Sequence, residues 1–260
     1  MHIYIINLDR SAGRMDFMRE QCEALSLDFE RVPAVDGKAI DPGTLKRHGL
    51  MPGATACFMS HRLAWQRLIS SPHQRALILE DDAELLPSLA ELIHEDGWFP
   101  QQADVVRVEA TGQKQLLSMD AIALSGERVL RRLHSDSWGC AGYIITRSAA
   151  ERLLDITEDF TEAVDLVVFG HDFVRDAVIY QMAPAPLKQK SMFQEEATGA
   201  FRSTIDAERF DANKRKIQAP KSGIAQKLKR ELLRPFRQAR AFYRRIKGIE
   251  RFKFDRVTFG

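Results

Sequence analysis

Alternating apolar runs and amphipathic stretches indicate an α/β protein. Residues 1–8 are mostly apolar and rich in β-forming side chains, and residues 29–32 show a second short strand pattern. Between them, apolar positions recur on one helical face over residues 14–24, with Ser11 as a candidate N-cap. A strand, a helix and a strand of this length predict a right-handed βαβ unit.

The same alternation continues downstream. Helices are predicted at residues 55–69, 87–99 and 148–156, the last capped by Ser148, and strands at residues 76–79, 105–108, 129–133, 143–146 and 178–182. Arginines lie in and beside residues 129–133, a placement that discourages edge-to-edge pairing and therefore predicts an edge strand. The pattern as a whole predicts a mixed central sheet flanked by helices.

Three acidic residues follow the apolar run 76–79, which is typical of a strand buried on both faces. Glu80, Asp81 and Asp82 therefore lie at a carboxyl strand end, where open α/β sheets bind ligands. Adjacent carboxylates repel each other unless a cation or hydrogen-bond donors compensate them, and Mg²⁺ and Mn²⁺ prefer carboxylates, water and phosphate. These residues predict a metal–phosphate site. The alternative is a solvated acidic loop that opens the next helix.

Further polar residues are weaker candidates on their own. Asp36 precedes Gly37, and this pair is also simply a good turn. His61 and Trp65 share a helical face, where a lone histidine is more often a structural hydrogen-bonding group than a catalyst. Residues 137–146 combine glycines, aromatic residues and a strand pattern, and their small residues permit a ligand or another backbone segment to approach closely.

The composition suits one large soluble domain with an appendage. Of the 260 residues, 45% are hydrophobic and 28% are charged. The 3 cysteines show no paired spacing, which argues against a disulfide framework and against a cysteine-rich zinc site. We expect residues 1–219 to form the domain.

Residues 220–260 differ from the rest of the chain in charge. They carry 13 basic against 3 acidic residues, or +10, whereas residues 1–219 carry −8. Apolar residues recur every three or four positions from Ser222 to Ile246, which predicts a basic amphipathic helix that binds an anionic membrane surface. The alternative is a helix docked on the domain. Nucleic acid is not an expected partner, because the acidic body would repel phosphate.

Five short motifs follow one another along the chain: residues 3–10 (IYIINLDR) with Arg14, residues 34–37 (AVDG), residues 60–61 (SH), residues 79–82 (LEDD) and residues 139–147. Their order resembles that found in glycosyltransferase family 25, which includes β-galactosyltransferases of bacterial lipooligosaccharide synthesis. Residues 203–205 (STI) resemble the closing Ser-Ser-Ile of that family. The resemblance covers roughly residues 1–205 and leaves the tail outside.

This resemblance implies a GT-A-like nucleotide-sugar-binding fold, a donor that is usually UDP-galactose, and a divalent metal, commonly Mn²⁺ (or Mg²⁺). It assigns Asp82 to the metal with Glu80 in support, and Asp81 to the ribose or sugar hydroxyls of the donor. The residues matched to donor binding are Asn7, Asp9, Arg10, Arg14 and Asp36. Two departures from the family pattern, Ala56 for Gly and Cys140 for Thr, concern details of the donor pocket.

If the reaction inverts the anomeric centre, a base that does not bind the metal must accept the proton of the acceptor hydroxyl. Asp165 matches a family aspartate and is the first candidate, although its alternative role is a helix cap. Asp172 is the second candidate and His61 the third.

The expected acceptor is a lipid-linked saccharide. Residues 1–8 are too short for the apolar core of a signal peptide, and we expect a cytoplasmic protein on the inner face of the bacterial inner membrane, held there by residues 220–260. Two other classes stay open: a non-catalytic protein that binds nucleotide sugars or membranes, and a metal-dependent phosphohydrolase.

Overall fold

The computed structural model describes residues 1–190 and 251–260. Within these ranges, helices and strands alternate. The helices are α1 (Ala12–Ala24), α2 (Pro42–His48), α3 (Pro52–Ser70), α4 (Ser88–His94), α5 (Arg147–Ile156), α6 (Val164–Val168) and α7 (His171–Asp176). The strands are β1 (His2–Asn7), β2 (Glu30–Pro33), β3 (Arg75–Glu80), β4 (Ala83–Leu85), β5 (Val105–Arg107), β6 (Glu109–Ala110), β7 (Lys114–Ala123), β8 (Val129–Leu133), β9 (Gly142–Thr146), β10 (Ile179–Ala183), β11 (Leu187–Gln189) and β12 (Phe252–Arg256).

Nine strands form one sheet in the order β12-β7-β8-β10-β5-β9-β3-β1-β2. Strand β1 pairs in parallel with both β2 and β3, and β9 runs antiparallel between β3 and β5. Strands β1, β2, β3, β5 and β10 therefore end on the same side, which we call the carboxyl end of the sheet. The predicted mixed central sheet is confirmed.

A smaller sheet of three strands, in the order β4-β11-β6, lies beside this carboxyl end. Its strand β4 follows the acidic residues directly, and β11 pairs antiparallel with β4 and in parallel with β6. Leu187 of β11 packs against Gly142 at the start of β9, where a Cβ atom would approach the leucine side chain to 2.3 Å. This close contact fixes the smaller sheet, and with it Gln189, over the ends of the central strands.

The hydrophobic core is divided between the two faces of the large sheet, because successive side chains of a strand point to opposite faces. Tyr4 and Ile6 of β1 pack with helix α3, including the fully buried Trp65. Ile3 and Ile5 pack on the other face with α1 and α4. The strand ends are therefore held rigidly between two layers of helices.

Three local predictions need correction. Strand β8 does not lie at an edge: it pairs with β7 and β10, and its Arg131 donates to the backbone carbonyl of Ser118. Helix α5 is capped by Thr146, which accepts a hydrogen bond from the Ala149 amide, so Ser148 is not the cap. Ser11 occupies the N-cap position of α1 without a capping side-chain hydrogen bond.

Residues 252–256 belong to the central sheet. Strand β12 pairs antiparallel with β7, from Phe252 opposite Ser118 to Arg256 opposite Lys114. The sequence pattern did not predict this strand. The predicted amphipathic helix and the residues 203–205 lie outside the described residues. Among the helices of the described ranges, none has the length and hydropathy of a membrane span.

Candidate active site

The register of the parallel strands brings the conspicuous polar residues together. Ile6 of β1 lies opposite Glu80 of β3, so Asn7 and Asp81 emerge side by side at the carboxyl end of the sheet. The Glu80 amide donates to the carbonyl of Ala141 at 3.0 Å, which adds the segment before β9 to the same place. Residues far apart in sequence therefore meet at the position where open α/β sheets bind ligands.

Asp81 is held by Asn7 and Arg14. Its carboxylate accepts a hydrogen bond from the Asn7 amide group at 2.7 Å and one from the Arg14 guanidinium at 2.8 Å. Burial raises the pKa of Asp81, and the neighbouring Arg14 charge opposes that rise. The site thus combines three residues that the resemblance assigns to donor binding, and Asp81 is already committed to hydrogen bonds with the other two.

Asp82 is 3% exposed and lies close to Glu80. The side-chain amide of Gln189 donates to Asp82 at 3.1 Å and approaches Glu80 at 3.4 Å, so a single nitrogen reaches both carboxylates. Burial, followed by repulsion from Glu80, raises the pKa of Asp82 to about 7, whereas Arg14 at 4.0 Å lowers it. Two carboxylates that share one small volume favour a bound cation.

A chain of hydrogen bonds fixes Glu80 from inside the core. The Trp65 indole donates to the Tyr143 hydroxyl at 2.8 Å, this hydroxyl lies 2.9 Å from His61 Nδ1, and His61 Nε2 lies 3.1 Å from Glu80 Oε1. Because the Tyr143 oxygen already accepts from Trp65, we assign its proton to His61 Nδ1, which leaves Nε2–H to donate to Glu80. His61 is 0% exposed and has both ring nitrogens engaged, so it fits the structural alternative rather than the role of base.

The donor atoms of Glu80 and Asp82 fit a hard divalent cation, because both are carboxylate oxygens. Among the described residues, Cys57, His61 and Glu80 also bring ligand atoms within 4.8 Å of one another. This second group does not fit a metal. Burial raises the pKa of the Cys57 thiol well above its usual value, and the ring nitrogens of His61 are already hydrogen-bonded.

The remaining predicted donor-binding residues lie on the surface next to this site. Arg10 pairs with Asp36, and Arg31 pairs with Asp9. Asp36 also accepts a hydrogen bond from the Lys38 amide at 2.9 Å, as the turn interpretation requires. These two ion pairs, which we call the surface pairs, are exposed and contribute little stability.

Of the predicted bases, Asp165 is the one that contacts the segment before β9. Its carboxylate accepts from the Gly139 amide at 2.9 Å and from the Leu166 amide at 2.9 Å. The N-cap of α6 is Ala163, so Asp165 is a residue of the first turn and not the cap. Asp172 is exposed in the first turn of α7, where its negative charge helps to raise the pKa of Arg175.

A buried charge pair that no sequence pattern indicates lies beside the site. Arg107 and Glu109, both 0% exposed, lie 3.5 Å apart, and burial raises the pKa of Glu109 to about 7. Glu109 accepts from the Ala141 amide at 3.0 Å, and Gly139, with φ of +91°, leaves 2.9 Å between an added Cβ and Glu109. Neither residue has a sequence signal, because Arg107 and Glu109 occur singly within a strongly apolar stretch.

Comparisons with known proteins agree with the motif pattern. A family model described as "Glycosyltransferase family 25 (LPS biosynthesis protein)" matches residues 1–168. The lacto-N-neotetraose biosynthesis glycosyltransferase LgtE of Neisseria meningitidis serogroup B is 31% identical over 159 residues, which are 57% of this chain and 57% of LgtE. LgtB of the same organism is 30% identical over 182 residues, 65% of this chain and 66% of LgtB. The match therefore spans little more than half of LgtE.

Similarity to solved structures is weaker. A glycosyltransferase involved in glycosylation of the major capsid of PBCV-1 superposes with a TM-score of 0.42 at 11% identity, over 82% of this chain and 99% of that one. Because this superposition is loose, the family assignment rests on the sequence matches alone.

Replacement of Glu109 by Gln should change how stability depends on pH. The folded pKa of about 7 exceeds the ordinary value of 4.5, so Glu109 stabilises the fold at low pH and loses that contribution as the pH rises from 4.5 through 7. The loss is about 3 kcal/mol at most. Chemical denaturation of Glu109→Gln should show its unfolding free energy rising relative to the native protein over this window.

Asp16→Asn, at an exposed position, is the control. The difference between its unfolding free energy and that of the native protein should stay constant across the same pH range. A Glu109→Gln variant that instead loses relative stability with rising pH would mean that Arg107 holds Glu109 charged.

Proposed function

Because the chain belongs to glycosyltransferase family 25, we propose that it transfers a sugar from a nucleotide-sugar donor to a saccharide acceptor of the lipopolysaccharide or lipooligosaccharide kind. The donor we propose is UDP-galactose, with inversion to a β-linkage. The observation that carries this proposal is the pair Glu80 and Asp82, which crowd under the Gln189 amide at the carboxyl end of the sheet. Such a pair suits a cation together with a diphosphate.

We assign the metal, Mn²⁺ or Mg²⁺, to Asp82 and Glu80. Both side chains are held in place, Glu80 by His61 and Asp82 by Gln189, so their orientation does not depend on a ligand. When bound there, a divalent ion would stabilise the negative charge of the departing diphosphate.

The donor nucleotide would lie across the ends of β1 and β3. Asn7 and Arg14 hold Asp81 there, where its carboxylate oxygens can also accept hydrogen bonds from ribose or sugar hydroxyls. The surface pairs add two arginines and two aspartates on the solvent side. Because exposed ion pairs contribute little stability, these side chains can leave one another and bind the donor with a small loss of free energy.

Asp165 is our proposed base. It must accept a proton from the acceptor hydroxyl while that oxygen attacks the anomeric carbon. Its carboxylate is oriented by the Gly139 amide, and it is separate from the metal pair. Asp172 remains the second candidate.

Asp82→Asn should weaken metal-dependent chemistry while the protein stays folded. Removing one carboxylate weakens cation binding, and we expect Mn²⁺ affinity, followed by electron paramagnetic resonance, to fall at least tenfold. Hydrolysis of a panel of UDP-sugars with Mn²⁺ should fall in parallel. Asp16→Asn is the control and should retain native values.

Unchanged Mn²⁺ affinity in Asp82→Asn would contradict this site. The same assays separate the other two classes of function. Inorganic phosphate released without an acceptor would favour a phosphohydrolase, and donor binding without any turnover would favour a non-catalytic protein.

Asp165→Asn should lower transfer to a soluble acceptor by a factor of roughly 10² to 10⁴, the usual contribution of a general base. The amide keeps an oxygen for the Gly139 hydrogen bond, so Mn²⁺ affinity should stay native. The exposed Asp159→Asn is the matched control, and Asp172→Asn is measured alongside. Loss of transfer in Asp172→Asn and not in Asp165→Asn would move the base to Asp172.

We also propose that residues 220–246 bind the cytoplasmic face of a bacterial inner membrane, where lipid-linked acceptors would be met. Because β12 is part of the sheet, the test is an internal deletion of residues 222–246 that retains it. The deletion should reduce sedimentation with phosphatidylglycerol vesicles and spare transfer to a soluble acceptor. Phosphatidylcholine vesicles are the control. Equal binding of both proteins to the anionic vesicles would exclude this membrane role.

A further inference from the structure

Trp138 stands out as an exposed aromatic side chain next to the proposed base. It is 56% exposed, whereas Trp65 is fully buried and Trp98 is half-buried. It precedes Gly139, whose amide binds Asp165 at 2.9 Å. Tryptophan is enriched at binding interfaces, because its ring offers apolar area and its N–H a hydrogen bond, so an exposed tryptophan beside a functional group is a candidate binding residue.

The backbone of Trp138 is held on two sides. Its carbonyl accepts from the Arg107 guanidinium at 2.5 Å and from the Gln113 amide at 2.9 Å, and its own N–H donates to the Gln113 oxygen at 3.4 Å. Arg107 also donates to the Gly139 carbonyl at 2.8 Å. The segment carrying the indole is therefore fixed while the ring itself stays accessible.

The residues that hold this segment in place are charged and buried, and burying charged groups costs free energy. Arg107 is fully buried, stacks over the ring of Phe169 at 4.5 Å, and pairs with the buried Glu109. Burying a charged pair seldom adds net stability, and one attested use of such groups is to specify a single conformation. Here the conformation specified is that of residues 137–139, which carry both the indole and the amide that orients the base.

We infer that the Trp138 indole is the platform on which the acceptor saccharide stacks. This inference rests on the proposed function and adds the residue that selects the acceptor. A pyranose ring has an apolar face of C–H groups and a polar rim of hydroxyls, so an indole binds the face while hydroxyls remain free to reach a base. Trp138 supplies the first element, and Asp165 of α6, which accepts a hydrogen bond from the Gly139 amide next to Trp138, supplies the second.

The kinetic test is Trp138→Ala with UDP-galactose as donor and the methyl β-glycosides of glucose, galactose and N-acetylglucosamine as acceptors. Loss of the stacked surface should raise the KM of the acceptor roughly tenfold or more and leave the donor KM at its native value. Trp138→Phe should recover part of the loss. Phe254→Ala, which removes an aromatic side chain that is 70% exposed on β12, is the control and should match the native protein.

A native acceptor KM in Trp138→Ala would overturn the inference, and so would a change confined to the donor KM. Fluorescence keeps the test separate from the proposed function, because it needs no turnover. The glycosides should shift the tryptophan emission of the native protein saturably and leave that of Trp138→Phe unchanged. This result would support the platform even in a protein that transfers nothing, whereas the absence of any shift in the native protein would exclude it.

Discussion

The crowding of carboxylates at the end of β3 is the constraint on which the rest of the site depends. Asp81 and Asp82 are buried beside Glu80, and burial together with mutual repulsion penalises their charged forms. The surrounding residues compensate from several directions. Arg14 and Asn7 approach from the first βα unit, and Gln189 approaches from the smaller sheet. The carboxylates thus tie three distant parts of the chain together.

The same constraint explains why a histidine lies deep in the core. The chain of hydrogen bonds from Trp65 through Tyr143 and His61 ends on Glu80. Buried side chains therefore set the position of this carboxylate. A site with this support is preorganised, because its groups need not reorder when substrate arrives. The buried Arg107 and Glu109 do the same for the neighbouring segment before β9.

Sequence patterns predicted the parts of the site that depend on local order. Residues 76–79 identified the central strand, and the motif resemblance selected Asn7, Arg14 and Asp81, which the structure brings into contact. Gln189 was missed because its relation to Asp82 arises only from the pairing of β11 with β4. The position of β8 inside the sheet was missed because charged residues are typical of edge strands, whereas Arg131 donates to the backbone carbonyl of Ser118 on the neighbouring strand.

The outer strand β12 has a consequence for the order in which the protein can form during synthesis. Its partner β7 leaves the ribosome long before Phe252 does, so in the nascent chain residues 114–118 still lack the strand that pairs with them. This part of the sheet can therefore form only after residues 252–256 have been made. A product interrupted before them would expose a strand edge that is free to pair with other chains.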